Sequence, residues 1–129
     1  SSAFSVFANR GTLYTPHFLR QQNQDRKEGV VVNDQVVSKE TINAVRAGLR
    51  DTVIYGSARS LGVLPISSAG KTGTSQFSSL KDPHAWFSVF APYENPEIVL
   101  TILIEEGETS NVSVRAAREI LEWWAEHRS

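Results

Sequence analysis

Cysteine and methionine are both absent from this 129-residue chain. Without cysteine there are no disulfides, no thiolate nucleophile and no cysteine-ligated zinc. Histidine is scarce: His17, His84 and His127 are scattered and lack the close spacing of a metal site, so no metal or other cofactor is expected. No apolar run approaches the roughly 18 residues that a membrane-spanning helix needs. The opening Ser1-Ser2-Ala3-Phe4 has neither the basic region nor the cleavage site of a signal peptide. With no methionine even at the first position, the sequence reads as a segment cut from a longer chain. An excess of charge is missing too: 13 basic and 14 acidic residues leave a net charge of −1, which gives no reason to expect a nucleic acid or a membrane surface as partner. What is present is a hydrophobic fraction of 40%, enough for a real core in one domain or a large piece of one.

Residues 3–8 read as the last turns of a helix, ended by Asn9-Arg10-Gly11 with Gly11 in the left-handed C′ position. The stretch from Thr12 to Arg20 has extended character, with Pro16 limiting its sheet pairing, and residues 21–28 read as a solvated loop. Val30-Val31-Val32 and Val36-Val37 around Asn33-Asp34 suggest a hairpin. Ser38 is a natural N-cap, and Ile42, Val45, Leu49 and Val53 recur at helical spacing, which predicts a helix over 39–53. Residues 56–66 read as a loop. Strands are expected near 85–91 and 97–105, and residues 67–76, although small and polar, are read as a third strand on the motif considered below; the short links favour antiparallel pairing. The strand near 97–105 is so uniformly apolar that a central place with both faces covered is expected. A final helix over 113–126 shows a stripe of Val114, Ala117, Leu121 and Trp124, widened by Ile120 and Trp123. Of the adjacent Trp123 and Trp124, one is expected in the core and the other partly exposed.

The informative stretch is Ser68-Ala69-Gly70-Lys71-Thr72-Gly73-Thr74-Ser75-Gln76. A phosphate-binding loop is excluded, because Pro65 stands where its first glycine belongs and no helix follows. Two Ser-x-x-Lys matches exist, Ser68 with Lys71 and Ser78 with Lys81. A nucleophilic serine of that pattern should open a helix that places the lysine one turn later, and both matches sit in poor helix material. The third reading is the Lys-Thr-Gly strand of penicillin-binding serine acyltransferases. Lys71 would offer a positive charge, Thr72 and Thr74 hydroxyls for a substrate carboxylate, and the backbone N–H of Thr74 half of an oxyanion hole. Gly73, bare of a side chain, would let an extended peptide lie against the strand. The tripeptide alone is weak, since chance alone supplies it in roughly one in twenty chains of this length.

The wider sequence strengthens it. Phe7-Ala8-Asn9-Arg10-Gly11 with Thr15-Pro16-His17, Gly56-Ser57-Ala58, the run 69–76, His84-Ala85-Trp86-Phe87 and Ala91-Pro92-Tyr93-Glu94-Asn95-Pro96 occur in the order and spacing of one family. The chain resembles the C-terminal part of penicillin-binding-protein transpeptidase domains, particularly the class B type. The resemblance implies an α/β fold, with residues 1–129 as a single partial domain whose strands join a five-stranded sheet. It also implies that Lys71, Thr72, Gly73 and Thr74 bind substrate. The nucleophilic Ser-x-x-Lys helix and the Ser-x-Asn loop would lie upstream, so the chain alone should not acylate. Tyr93-Glu94-Asn95 has a related form but falls in a strand connection.

By the same resemblance the parent enzyme would cross-link peptidoglycan through a serine acyl-enzyme, with acyl-D-Ala-D-Ala stem peptides as donors and β-lactams as suicide substrates. It would be extracytoplasmic and held to the membrane by an anchor outside this chain. The missing N-terminal part of the domain would be its closest partner, and as a fragment the chain should expose apolar surface. A serine β-lactamase, a non-catalytic β-lactam sensor or scaffold, and an unrelated α/β interaction domain are the alternatives.

Overall fold

The computed structural model describes residues 1–16 and 29–128; the expected loop at 21–28 and His17 lie outside them. Helix α1 (Ser2–Ala8) is followed by the short strands β1 (Leu13–Tyr14) and β2 (Val31–Asn33), helix α2 (Lys39–Ile54) and a 3-10 turn (Arg59–Val63). Strands β3 (Ala69–Ser75), β4 (His84–Ala91) and β5 (Ile98–Ile104) then form an antiparallel sheet in the order β3-β4-β5, and helix α3 (Ser110–His127) closes the chain. The expected α/β architecture is what forms.

Each helix and strand follows from its side chains, with instructive departures. Ser38 caps α2 as expected, its hydroxyl accepting the Thr41 N–H at 3.3 Å. Ile42, Leu49 and Val53 of α2 are buried. At the end of α1, Arg10 rather than Gly11 takes the left-handed C′ position (φ 57°), and the Gly11 N–H returns to the Val6 carbonyl at 2.8 Å. This is a Schellman closure with glycine one place later than expected. No hairpin forms around Asn33-Asp34. Asn33 Oδ1 accepts the Gln35 N–H at 2.9 Å in a local turn, Val36 N–H donates to the Gly11 carbonyl at 3.1 Å, and β2 pairs instead with β1. Strand β5 is not central among the described residues: it lies at the sheet edge, with Thr101 and Leu103 exposed. Its apolar run records a covered face toward α3 and says nothing of its neighbours in the sheet.

The core forms on both faces of β4. Phe87, Val89 and Ala91 meet Val114, Ala117 and Leu121 of α3 together with Val53, Ala58 and Leu61. On the other face Phe90 and Ala69 pack with Ala8, Leu49, Phe4, Phe7 and Val45. The expected stripe of α3 is narrower than foreseen. Ile120 and Trp123 face outward, and Trp124 is only half-buried, so neither tryptophan is core. Each pairs with a neighbour on its own helix end instead: Trp123 stacks on His127 and Trp124 lies under the Arg128 guanidinium.

One buried side chain in the α2 stripe is charged. Arg46 is 3% exposed. Its guanidinium donates to the Phe7 carbonyl at 2.7 Å, to the Ala8 carbonyl at 3.3 Å and to the Tyr93 carbonyl. The first two are orphan acceptors at the C-terminus of α1, where a cation also suits the helix dipole. The third belongs to the β4–β5 turn. The guanidinium also lies 4.8 Å from the Phe90 ring centroid and 5.0 Å from that of Tyr93, and such contacts gain strength when water is excluded. Burial, with Arg10 pushing the same way, holds its pKa below the ordinary value, but an arginine stays charged.

One turn on, Arg50 donates to the Ser68 carbonyl at 2.7 Å. These two arginines thus tie α2 to α1, to the β4–β5 turn and to the lead-in of β3. Replacing Arg46 with methionine keeps apolar bulk but strands buried carbonyls, so chemical denaturation should show a loss of about 2–4 kcal/mol.

The two inner glycines of β3 differ sharply. A Cβ on Gly70 would stand 2.7 Å from the Phe87 ring and 2.7 Å from the Ser88 carbonyl oxygen, whereas one on Gly73 would meet only the Trp86 Cβ, at 3.5 Å. Gly70→Ala should therefore destabilise the protein by about 2 kcal/mol, while Gly73→Ala should change stability by less than about 0.5 kcal/mol; thermal unfolding of the two variants checks both.

Candidate active site

Among the described residues β3 is hydrogen-bonded only to β4, so its second edge is open. Along that edge lie Lys71, Thr72, Gly73 and Thr74, either exposed or half-buried. The register sets Lys71 opposite Ser88, Gly73 opposite Trp86 and Ser75 opposite His84, while Thr72 faces Phe87 and Thr74 faces Ala85. Strand alternation therefore sends Lys71, Gly73 and Ser75 to one face, and Thr72 and Thr74 to the face that carries α3. The motif predicts that the lysine and both threonine hydroxyls serve one substrate. The structure brings all four residues onto one edge but divides their side chains between its two sides. A ligand lying along the edge, between the faces, would meet both groups.

Neighbouring groups fix this edge. Lys71 Nζ curls back to donate to the Thr72 carbonyl at 2.8 Å. Trp86 Nε1 donates to Ser75 Oγ at 3.1 Å and keeps its indole 39% exposed beside Gly73. The Thr72 hydroxyl lies 2.8 Å from the Ser57 hydroxyl, 15 positions earlier in the chain. Past Ser75 the chain is tethered again: Gln76 donates to the Ser78 carbonyl and, at 2.8 Å, to the Lys81 carbonyl, and Lys81 pairs with Glu106 at 2.6 Å. That hydrogen bond raises the Lys81 pKa above its usual value. His84 opens β4. It stacks on Phe77 and accepts the Glu106 N–H at Nδ1.

The upstream anchor of β3 is the β4–β5 turn. Tyr93 N–H donates to Ser67 Oγ at 2.9 Å, and the Ser67 hydroxyl donates to the Glu94 carboxylate. This hydrogen bond is the main cause that holds the Glu94 carboxyl below its ordinary pKa. Tyr93, stacked against Phe90 beneath Arg46, is thereby a packing residue.

Neither Ser-x-x-Lys pair forms a nucleophile site. Ser68 is 1% exposed, lies in the lead-in to β3 and has no hydrogen-bond partner for its hydroxyl among the described residues, while Lys71 is exposed. Ser78 Oγ accepts the Leu80 N–H at 3.1 Å in a turn, and Lys81 is bound to Glu106. Neither serine opens a helix. No group of histidine, aspartate and glutamate suited to a metal occurs among the described residues.

Comparison with known proteins agrees with this geometry. Residues 1–122 match the family model of the penicillin binding protein transpeptidase domain. Stage V sporulation protein D of Bacillus subtilis is 30% identical over an alignment that covers 81% of this chain and 18% of that protein. Peptidoglycan D,D-transpeptidase MrdA of Haemophilus influenzae is 27% identical, with 99% of this chain and 23% of that protein covered. The chain therefore spans less than a quarter of the length of these two relatives. Among solved structures, the D,D-transpeptidase domain of a peptidoglycan glycosyltransferase from Eggerthella lenta superposes with a TM-score of 0.78 at 26% identity, covering 98% of this chain and 31% of that one. With nearly its whole length matched and the Lys-Thr-Gly strand on an open sheet edge, the chain belongs to the penicillin-binding-protein transpeptidase family.

Proposed function

We propose that this chain is the substrate-binding part of a serine D,D-transpeptidase that cross-links peptidoglycan, residues 1–129 forming the C-terminal portion of its catalytic domain. In that reaction a serine oxygen outside this chain attacks the penultimate D-Ala carbonyl of a stem peptide. The peptide C–N bond breaks, terminal D-Ala departs with a proton on its nitrogen, and an amine of a second stem peptide then takes the acyl group from the serine. The open edge of β3 suits an extended acyl-D-Ala-D-Ala segment as an added strand. Lys71 supplies positive charge beside the acyl centre, the Thr72 and Thr74 hydroxyls hold the terminal carboxylate, and the Thr74 N–H assists the developing oxyanion. β-Lactams carry a reactive acyl group and a carboxylate in a similar arrangement and would occupy the same edge.

The observation that carries this reading is the contrast between the two glycines. Gly70 is required by packing, but nothing among the described residues requires Gly73 to lack a side chain. A bare position on an open edge suits the close approach of another backbone. The exposed Trp86 and Leu103, cross-strand neighbours on the Lys71 face, would be covered by the missing N-terminal part of the domain. No helix among the described residues is long and apolar enough to cross a membrane, and the extracytoplasmic location proposed here rests on an anchor elsewhere in the protein.

Labelling of the full-length protein with a fluorescent penicillin tests the assignment. The unsubstituted protein should be labelled covalently, and Lys71→Ala should reduce the labelling rate by about 100-fold or more. Absence of labelling in a correctly folded protein would favour an inert scaffold, equal labelling of both would remove the role of Lys71, and rapid release of the label by hydrolysis would favour a β-lactamase.

A further inference from the structure

The Ser57 hydroxyl, 2.8 Å from that of Thr72, stands on a segment built to hold it in place. The Gly56 N–H donates to the Asp51 carbonyl at 3.0 Å and the Ala58 N–H to the Thr52 carbonyl at 3.0 Å, so the chain leaving α2 is pinned on both sides of Ser57. Ala58 is fully buried in the core below. A Cβ on Gly56 would stand 2.9 Å from the Thr52 Cα, so only glycine permits this close turn. Between these fixed neighbours Ser57 is exposed, and its hydroxyl reaches β3.

We infer that Ser57 is a positioning residue for carboxylate recognition: it donates its hydroxyl hydrogen to Thr72 Oγ1 and so turns the Thr72 hydrogen outward, toward the carboxylate of the bound peptide or β-lactam. A threonine hydroxyl has one hydrogen and two lone pairs. Either hydroxyl of the pair can be the donor when the edge is empty. Once an anionic acceptor lies at the edge, one order wins: Ser57 to Thr72 to carboxylate, a chain in which each bond polarises the next. Without Ser57, Thr72 would have to fix its own rotor and would lose the polarising donor. The inference rests on the reading of β3 as the carboxylate-binding strand.

The test uses the full-length protein and two probes, benzylpenicillin and its carboxylate methyl ester, with acylation rates measured for Ser57→Ala, Ser57→Thr and Thr72→Val. Ser57→Ala should slow acylation by the free acid about three- to ten-fold, as expected for one lost orienting hydrogen bond. Ser57→Thr should restore the rate, the ester should react equally with Ser57→Ala and the unsubstituted protein, and the unfolding midpoint should not move. If Ser57→Ala reacts normally with the acid while Thr72→Val is slowed, the role of Ser57 is overturned and the reading of β3 stands. Equal slowing with acid and ester would make Ser57 a scaffold residue and overturn the inference as well. If Thr72→Val leaves the acid rate unchanged, the reading of the strand itself falls, and the inference with it.

Discussion

The fold depends most on a charge placed where an apolar residue would be expected. Arg46 sits in the buried stripe of α2 and binds carbonyl groups from two other parts of the chain, the end of α1 and the β4–β5 turn. Removing a guanidinium from water is expensive, and here the compensation comes from hydrogen bonds to otherwise orphaned acceptors and from two aromatic faces. The arrangement adds directional constraint to a contact that apolar packing alone would leave free to slide. Helix α2 cannot shift along the sheet without breaking bonds to both segments. Arg50, one turn later, extends that constraint to the residue before β3. The position of the Lys-Thr-Gly strand is thus set by two arginines on its upstream side and by Trp86 and the tethered loop after Ser75 on the other.

Much of this was legible in the sequence, because local patterns govern it. Ser38, Ile42, Leu49 and Val53 define α2 within a residue or so of its ends; β4 and β5 follow from short apolar runs with a short link, while β3, small and polar, was legible only through its Lys-Thr-Gly motif. The features that escaped depend on partners remote in sequence. Arg46 looks like an ordinary helix-surface residue, since its acceptors lie 38, 39 and 47 positions away. Asn33-Asp34 has the composition of a hairpin turn, but the strand that pairs with β2 comes from before it. The outward faces of Ile120 and Trp123 show the same limit: a helix pattern marks a candidate stripe, and its true width is set by what packs against it.

The motif marked a strand, and its four residues share one open edge. Strand alternation already implies that Lys71 and the two threonines point to opposite faces; what the motif could not show is that Ser57 reaches Thr72 across 15 positions. The only local hint was the small Gly56-Ser57-Ala58 segment, which marks a tight turn but does not say where that turn lands. Fold and family were accessible from pattern and order; the second ring of contacts around the motif required coordinates.

The open edge of β3 has a consequence for how the protein tolerates change. Gly70 and Arg46 are fixed by packing, so variation there is removed for reasons of folding, whatever its effect on chemistry. Positions along the edge carry almost no packing load: Lys71 and Thr74 are exposed and Gly73 has free space beside it. If the edge binds acyl peptides and β-lactams as proposed, substitutions there, or at Ser57 beside them, would alter which of those compounds are admitted while the scaffold stays intact. Discrimination among them would then drift under selection without a matching loss of folded protein.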